Sequence, residues 1–201
     1  MKIGILGSGD VGLALARGFR AEGHEVKIGT RSPRESFVSF QEAAVFGETL
    51  VIATVWKGVK PAIDAAGADN FDGKVVLDVT NPLLMRENAA PELEIGHMDS
   101  GGEQVQRWLP KAKVVKVFNS VGNALMYRPE FPDGPPSMFI AGNDEDAKKA
   151  VTQVLTSFGW DTVDTGGIEG ARMLEPMCLL WVVSAARSGN WSQAFKLLRK
   201  S

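Results

Sequence analysis

The chain is poor in the residues on which many active sites depend. Its 201 residues include one cysteine, one tyrosine and two histidines. The lone cysteine, Cys178, excludes an internal disulfide, and its apolar setting in MCLLWVV indicates packing rather than a nucleophile. His24 and His97 are far apart, and neither has a second ligand at helical or hairpin spacing. The sequence therefore predicts no metal site.

The chain also has no large excess of one charge and no long apolar run. With 22 basic and 24 acidic residues the formal net charge is −2, so nucleic acid is not an expected partner. No apolar run reaches the roughly 18 residues that span a bilayer, and no basic amphipathic stretch would bind a membrane surface. The start, MKIGILGSG, lacks the layout of a signal peptide. We expect a soluble, cytoplasmic protein whose partners are small molecules.

Short β-branched runs alternate with helix-like stretches as far as about residue 165. This alternation predicts an α/β protein with a Rossmann-type, doubly wound and mostly parallel sheet. Helices are expected from Asp10 to about Glu22, from Gly58 to Ala66 and from Gly102 to Leu109. The predicted strands are Lys2–Leu6, Glu25–Gly29, Thr49–Val55, Lys74–Val79 and Lys113–Phe118.

The segment RPEFPDGPP, residues 128–136, is rich in proline and glycine and predicts a boundary. We expect a dinucleotide-binding Rossmann domain over 1–127. A C-terminal extension over 128–201, a βαβ unit plus terminal helices, should complete the same compact unit. Residues 168–188 are apolar on most faces, which predicts a buried helix that Pro176 kinks or divides into two segments. Burial in a homodimer is favoured over an intramolecular cap.

Three glycines stand between the first strand and the first helix, as GSGDVG. Gly7 permits the tight turn, Gly9 lets the backbone approach a pyrophosphate, and Gly12 allows close helix packing. The amides and the positive end of the helix dipole favour the phosphates. In this strand–loop–helix context the glycines predict a dinucleotide site rather than a flexible turn.

The end of the second strand indicates which dinucleotide binds. An NAD enzyme usually has an acidic residue there for the ribose 2′-hydroxyl, and this chain has none. The segment GTRSPR instead supplies hydroxyls and cations that suit the 2′-phosphate of NADP(H): Thr30, Arg31, Ser32 and Arg34. The alternative is a solvated basic loop.

No catalytic acid or base emerges from the motifs. There is no nucleophile with its base, no HExxH and no tyrosine four residues before a lysine. Asp78 ends the fourth strand, near Thr80, Asn81 and Pro82, and these residues could line a site or only shape a loop. Hydride transfer between two bound redox cofactors needs proximity and orientation more than proton transfer by the protein. The chemistry could therefore reside in the cofactors.

Longer motifs point to a family. The chain resembles, over nearly its whole length, the NADPH-dependent oxidoreductases that reduce the deazaflavin coenzyme F420, and the similar cytosolic domains of STEAP metalloreductases. The resemblance rests on GSGDVG, GTRSPR, FQEAA, VIATVW, LDVTNPL, KVFNSVGNAL, FIAGNDEDAKKAV and GGIEGARMLEP. The last three are the more specific.

The resemblance implies roles for particular residues. The glycine-loop amides, including those of Asp10 and Val11, and Ser8 would hold phosphates. The nicotinamide would be bordered by Thr54, Val55 and Trp56. The terminal helix near Met173 and Leu174 would close the cleft in which the second redox partner stacks, and that cleft would be lined by Asn81, Pro82, Asn119 and Val121.

Asn119 marks a departure from part of the family. Members that use the deazaflavin tend to have histidine at this position, whereas the metalloreductase domains, which use ordinary flavin, have asparagine. Either coenzyme F420 or FMN/FAD could therefore be the second cofactor, and Asn119 could contact it or cap the following helix.

The sequence as a whole predicts an NADP-dependent oxidoreductase that passes hydride between NADP(H) and a deazaflavin or flavin. One alternative is a reductase of another small substrate, such as an imine or a β-hydroxyacid. The short stretch after Thr165 disfavours it, because such enzymes need a large helical extension. A non-catalytic NADPH-binding sensor or partner subunit is the other alternative.

Overall fold

A single eight-stranded sheet forms the centre of the protein. The computed structural model describes residues 1–85 and 90–200. The strand order is β10-β9-β8-β5-β4-β1-β2-β3, and all neighbours pair in parallel except β8 with β9. This arrangement confirms the Rossmann-type, mostly parallel fold. The sheet strands are β1 Lys2–Leu6, β2 Glu25–Thr30, β3 Val38–Ser39, β4 Thr49–Ile52, β5 Val75–Asp78, β8 Lys113–Lys116, β9 Ser137–Gly142 and β10 Asp161–Asp164; β6 Leu83–Leu84 and β7 Glu92–Leu93 form a separate antiparallel pair.

Helices cover both faces of the sheet because each central strand is apolar on both sides. In β1, Ile3 and Ile5 join one core cluster with α1 and α5, whereas Leu6 joins the opposite cluster with α2, α3 and α4. The helices are α1 Asp10–Ala21, α2 Phe40–Phe46, α3 Val59–Ala66, α4 Gly101–Trp108, α5 Glu145–Ser157 and α6 Ala171–Ser188.

Several predicted boundaries differ from the structure at the carboxyl edge of the sheet. β4 ends at Ile52 rather than Val55, and β8 ends at Lys116 rather than Phe118. Phe118 has a φ of +57°, a left-handed conformation that cannot continue a strand and that is strained for a bulky residue. Strand β8 therefore stops earlier, and the residues that follow β4 form one of the loops of the candidate site.

Helix α2, strand β3 and the β6–β7 pair were not predicted. Helix α2 starts with a capping box, in which the Ser39 hydroxyl accepts from the Glu42 amide and the Glu42 carboxylate accepts from the Ser39 amide. The Ser-x-x-Glu spacing was the available signal for this helix.

Helix α6 runs without interruption through Pro176, so of the two effects predicted for Pro176 the division into two segments is wrong. Within the single chain it buries one face rather than most of its surface, since Met173 is 65% and Leu180 is 60% exposed. The chain's own C-terminal segment covers another part of it, because the Trp181 indole N–H donates to the Gln193 carbonyl at 2.8 Å. The homodimer and the boundary near residue 128 stay predictions.

The described residues contain neither a membrane-spanning helix nor a cluster of metal ligands. Within residues 1–85 and 90–200 no helix combines the length and apolar character needed to cross a bilayer. In the same ranges no three histidine, cysteine or carboxylate side chains are grouped so that they could hold a metal ion.

Replacing Gly4 by alanine should destabilise the fold. A Cβ at Gly4 would collide with the Ala43 carbonyl oxygen and lie 2.8 Å from Leu50 Cδ2, so α2 would have to move away from β1. We expect a loss of about 1–3 kcal/mol in the free energy of unfolding, measured by urea denaturation. Gly96→Ala is the control, because its Cβ would meet no atom within 4 Å. Equal stability of the two variants would contradict this packing account.

Candidate functional site

A cleft of about 670 Å³ opens at the carboxyl ends of β1, β2 and β4. It lies where the strand order reverses direction around β1, which is the usual ligand position in open α/β sheets. Its walls come from the loops after these strands, from the start of α2 and from α3. The lining residues are Gly7, Ser8, Gly9, Thr30, Arg31, Pro33, Ser39, Phe40, Ala53, Thr54, Val55, Lys57, Gly58, Pro61, Ala62 and Ala65.

The three motif glycines have different surroundings. Gly7 has a φ of +136°, and a Cβ there would collide with the Ala53 carbonyl group. A Cβ on Gly12 would collide with the Gly7 carbonyl oxygen, so α1 can start this close to β1 only with glycine at that position. Around Gly9, in contrast, a Cβ would meet no atom within 4 Å. The space beside Gly9 is thus open to a ligand, next to the amides of the first turn of α1.

Two exposed cations line the cleft. Arg31 follows β2, and Lys57 lies in the single 3₁₀ turn after β4. Neither makes an ion pair with any residue in the described part of the chain, whereas Lys60, one turn further on, pairs with Asp64 at 2.6 Å. The cleft therefore presents two positive charges that no carboxylate of the described residues pairs with. Lys57 was missed in the sequence because it belongs to no recognised motif.

Hydroxyl groups connect the glycine loop to the basic loop. The Ser8 hydroxyl donates to Thr30 Oγ1 at 3.3 Å, and the Ser32 amide approaches the same oxygen at 3.5 Å. Arg34 lies outside the cleft lining, with its guanidinium 4.9 Å from the ring centroid of Phe37. This stacking holds the guanidinium plane at the end of the basic loop.

Comparison with known proteins shows the family. The model of the family described as coenzyme F420-dependent NADP oxidoreductase matches residues 2–82, the part that supplies the cleft. The crystal structure of a candidate F420-dependent NADP reductase from Arthrobacter sp. FB24 is 36% identical, with a TM-score of 0.94, and the match covers 99% of this chain and all of that one. The chain belongs to the F420-dependent NADP oxidoreductase family.

Other members of this family and its relatives are more distant. The F420-dependent NADP reductase of Methanothermobacter thermautotrophicus is 24% identical over 208 residues, which cover 90% of this chain and 88% of that protein. The metalloreductase STEAP3 of Rattus norvegicus is 30% identical over 187 residues, 89% of this chain but 36% of that protein. The chain thus spans about a third of the length of the metalloreductases it matches. Both of these relatives are named as reductases, and the family is described as NADP oxidoreductases.

Seven of the predicted site residues line the cleft of this family member: Gly7, Ser8, Gly9, Thr30, Arg31, Thr54 and Val55. The others lie outside the cleft lining: Asp10, Val11, Gly12, Ser32, Arg34, Trp56, Asn81, Pro82, Asn119 and Val121.

Asn119 is buried, and its side chain contacts both the loop after β5 and α6. Its side-chain Nδ2 donates to the Leu174 carbonyl at 2.7 Å and to Asn81 Oδ1 at 3.1 Å, and Asn81 Nδ2 donates to the Asn119 carbonyl at 2.8 Å. The side chain is 3% exposed. The helix-capping role considered for Asn119 is wrong, because Gly122 precedes the next helical turn. Asn119 instead ties the loop after β5 to α6.

Some of the other predicted residues are buried, and others lie near the rim of the cleft. Val121 and Pro82 are buried, and Val121 packs in the core cluster beside α1 and α5. Trp56 stacks on Trp108, with ring centroids 5.6 Å apart. Val55, next to it, is 81% exposed and presents an aliphatic surface at the end of the cleft.

Alanine at Gly9 and alanine at Gly12 should have separable effects. Gly9→Ala should keep the fold and raise the Kd for NADPH by roughly tenfold or more, because its methyl group enters the open space beside the glycine loop. Gly12→Ala should lower the unfolding temperature, because its methyl group collides with the Gly7 carbonyl oxygen. Calorimetric titration and thermal unfolding measure both. Unchanged NADPH affinity in Gly9→Ala would contradict the phosphate site.

Removing either free cation should weaken NADPH binding. Loss of a charge-assisted hydrogen bond costs about 1.5–3 kcal/mol, so Arg31→Ala and Lys57→Ala should each raise the Kd roughly tenfold or more. Lys60→Ala is the matched control, because Lys60 is paired with Asp64. If Arg31 faces the 2′-phosphate, its removal should leave the Kd for NADH nearly unchanged. Equal affinities of the Lys57 and Lys60 variants would contradict the role of Lys57.

Proposed function

We propose that this protein transfers hydride between NADP(H) and a second redox cofactor, either the deazaflavin coenzyme F420 or a flavin (FMN or FAD). The observation that carries the proposal is the composition of the cleft: an open glycine loop and two cations with no ion-pair partner in the described part of the chain, continuing into the exposed aliphatic surface of Val55. The family description and the names of the full-length F420-dependent relatives support the choice of partners.

The residues of the cleft fit NADP(H). The open space at Gly9 and the first amides of α1 would receive the pyrophosphate. Arg31 and Lys57 would face phosphate charge, and Thr30 and Ser32 would supply hydrogen-bonding groups near the 2′-phosphate. No carboxylate lies among the lining residues to hold a free ribose 2′-hydroxyl, and the absence of this group favours NADPH over NADH.

A flat second cofactor would stack beyond Val55. We place it between Val55, the half-buried Asn81 and the exposed Met173 at the start of α6. In this proposal Asn119 does not touch the cofactor. Its side chain donates hydrogen bonds to Asn81 and to the Leu174 carbonyl and so fixes their positions. Val121 and Pro82 support the same loops from the core.

In this proposal the protein positions the two cofactors, and its side chains do not donate or accept a proton. When both cofactors are bound, NADPH supplies the hydride and water supplies the proton that completes reduction of the second ring system. The described residues that line the cleft include no histidine, cysteine or carboxylate. Holding two reactants at the correct distance and angle, away from bulk water, can itself supply much of the rate enhancement.

The experiment is oxidation of NADPH by the purified protein, with coenzyme F420, FMN, FAD or no acceptor in parallel and NADH as the control donor. We expect saturable reduction of F420 or of a flavin and a clear preference for NADPH. Reduction of F420 alone or of flavin alone would identify the acceptor. NADPH binding without reduction of any of them would overturn the proposal and favour a non-catalytic NADPH-binding protein.

A further inference from the structure

Three charged side chains form a fully buried cluster outside the cleft lining. Lys116 ends β8, Asp78 ends β5 and Glu175 lies in α6. The Lys116 ammonium is 2.8 Å from Asp78 Oδ2 and 2.8 Å from Glu175 Oε1, and it donates to the Thr80 carbonyl at 2.8 Å. The side chains are at most 1% exposed.

Glu175 also accepts the first two backbone amides of α4. The Gly101 amide donates to Oε2 and the Gly102 amide donates to Oε1, each at 2.9 Å. A Cβ on Gly101 would be 2.9 Å from Glu175 Oε1, and one on Gly102 would be 3.1 Å from Lys116 Cε. Paired glycines are therefore needed for α4 to begin against this carboxylate.

The cluster is better suited to fixing geometry than to adding stability. Desolvation of a buried ion costs several kcal/mol, and apolar replacements of buried ion pairs are often equally stable. Burial alone would lower the pKa of Lys116, but the two carboxylates outweigh it and raise that pKa. Lys116 thus stays charged, and its ammonium must keep the two carboxylates beside it.

The cluster is connected to both sides of the candidate site. Gly101 lies against the Trp56 ring, since a Cβ on Gly101 would be 3.1 Å from that ring. On the other side, Leu174, next to Glu175, accepts from Asn119 at 2.7 Å. The exposed Met173 comes one residue earlier in α6. The position of α6 relative to Trp56 and Asn81 therefore depends on the contacts of Glu175.

We propose that Glu175 is a positioning residue for the second redox cofactor: through Lys116 and the amides of Gly101 and Gly102 it holds α6, and with it Met173, at the distance from Asn81 and Val55 that the flat ring system requires. This inference rests on the proposed function, because it assigns the α6 side of the site to the hydride acceptor. The NADP(H) cleft shares no residue with the cluster.

The test is Glu175→Gln, with Glu169→Gln as the control for loss of one carboxylate charge at an exposed position just before α6. In Glu175→Gln the Lys116–Asp78 pair remains balanced, so we expect the fold to persist. The Kd for F420 or flavin, measured by calorimetry on the NADP⁺-bound protein, should rise at least roughly tenfold. The Kd for NADPH should change less than about twofold, and Glu169→Gln should resemble the wild type.

If Glu175→Gln folds, any other pattern of affinities overturns the inference. Unchanged acceptor affinity in folded Glu175→Gln would reduce the cluster to a structural role, and an equal loss of NADPH affinity would indicate general loosening. If Glu175→Gln does not fold, Glu175→Asp decides, because it keeps the charge but shortens the reach; wild-type acceptor affinity there overturns the inference. A wild-type protein that binds no acceptor overturns the proposed function as well, which distinguishes the two failures.

Discussion

The close approach of Gly12 to the Gly7 carbonyl is the constraint on which the cleft beside the glycine loop depends. Because no side chain separates them, α1 begins directly at the end of β1. The close start brings the first amides of the helix to the carboxyl edge of the sheet, where β2 and β4 deliver Arg31 and Lys57. Parallel pairing of these strands places all three loops at the same edge. The backbone geometry and two cations that have no ion-pair partner among residues 1–85 and 90–200 make this edge suitable for an anion.

The other half of the site is built by long-range polar contacts. Helix α6 reaches the sheet edge through Glu175 and through the Leu174 carbonyl, which accepts from Asn119. A purely apolar contact would allow α6 to slide, whereas buried charges and amides with fixed partners define one position. The strained conformation of Phe118, between Lys116 and Asn119, belongs to the same region. The structure thus combines a cleft built by the backbone with a second wall whose position is fixed by side-chain contacts.

Local patterns allowed part of this arrangement to be predicted. Strand β1 was predicted at its observed bounds, because a continuous apolar run followed by glycines depends on neighbouring residues alone. The three glycines and Arg31 belong to a short motif for the same reason. Lys57 and Glu175 could not be found in this way. Lys57 stands out only because it lacks an ion-pair partner among the described residues, whereas Lys60 pairs with Asp64. Glu175 contacts residues distant in sequence, Lys116 and Gly101. Asn119 was selected through a family resemblance, but its contacts with Asn81 and Leu174 required the folded chain.

Direct hydride transfer between two bound ring systems is the central claim, and isotopic labelling tests it most directly. The measurement is reduction of coenzyme F420 by NADPH that carries deuterium at the transferable position of nicotinamide C4, in ordinary water. The account predicts that the deuterium appears on carbon in the reduced deazaflavin, because carbon-bound hydrogen does not exchange with water. Reduced deazaflavin that carries hydrogen from the solvent at that carbon would contradict it.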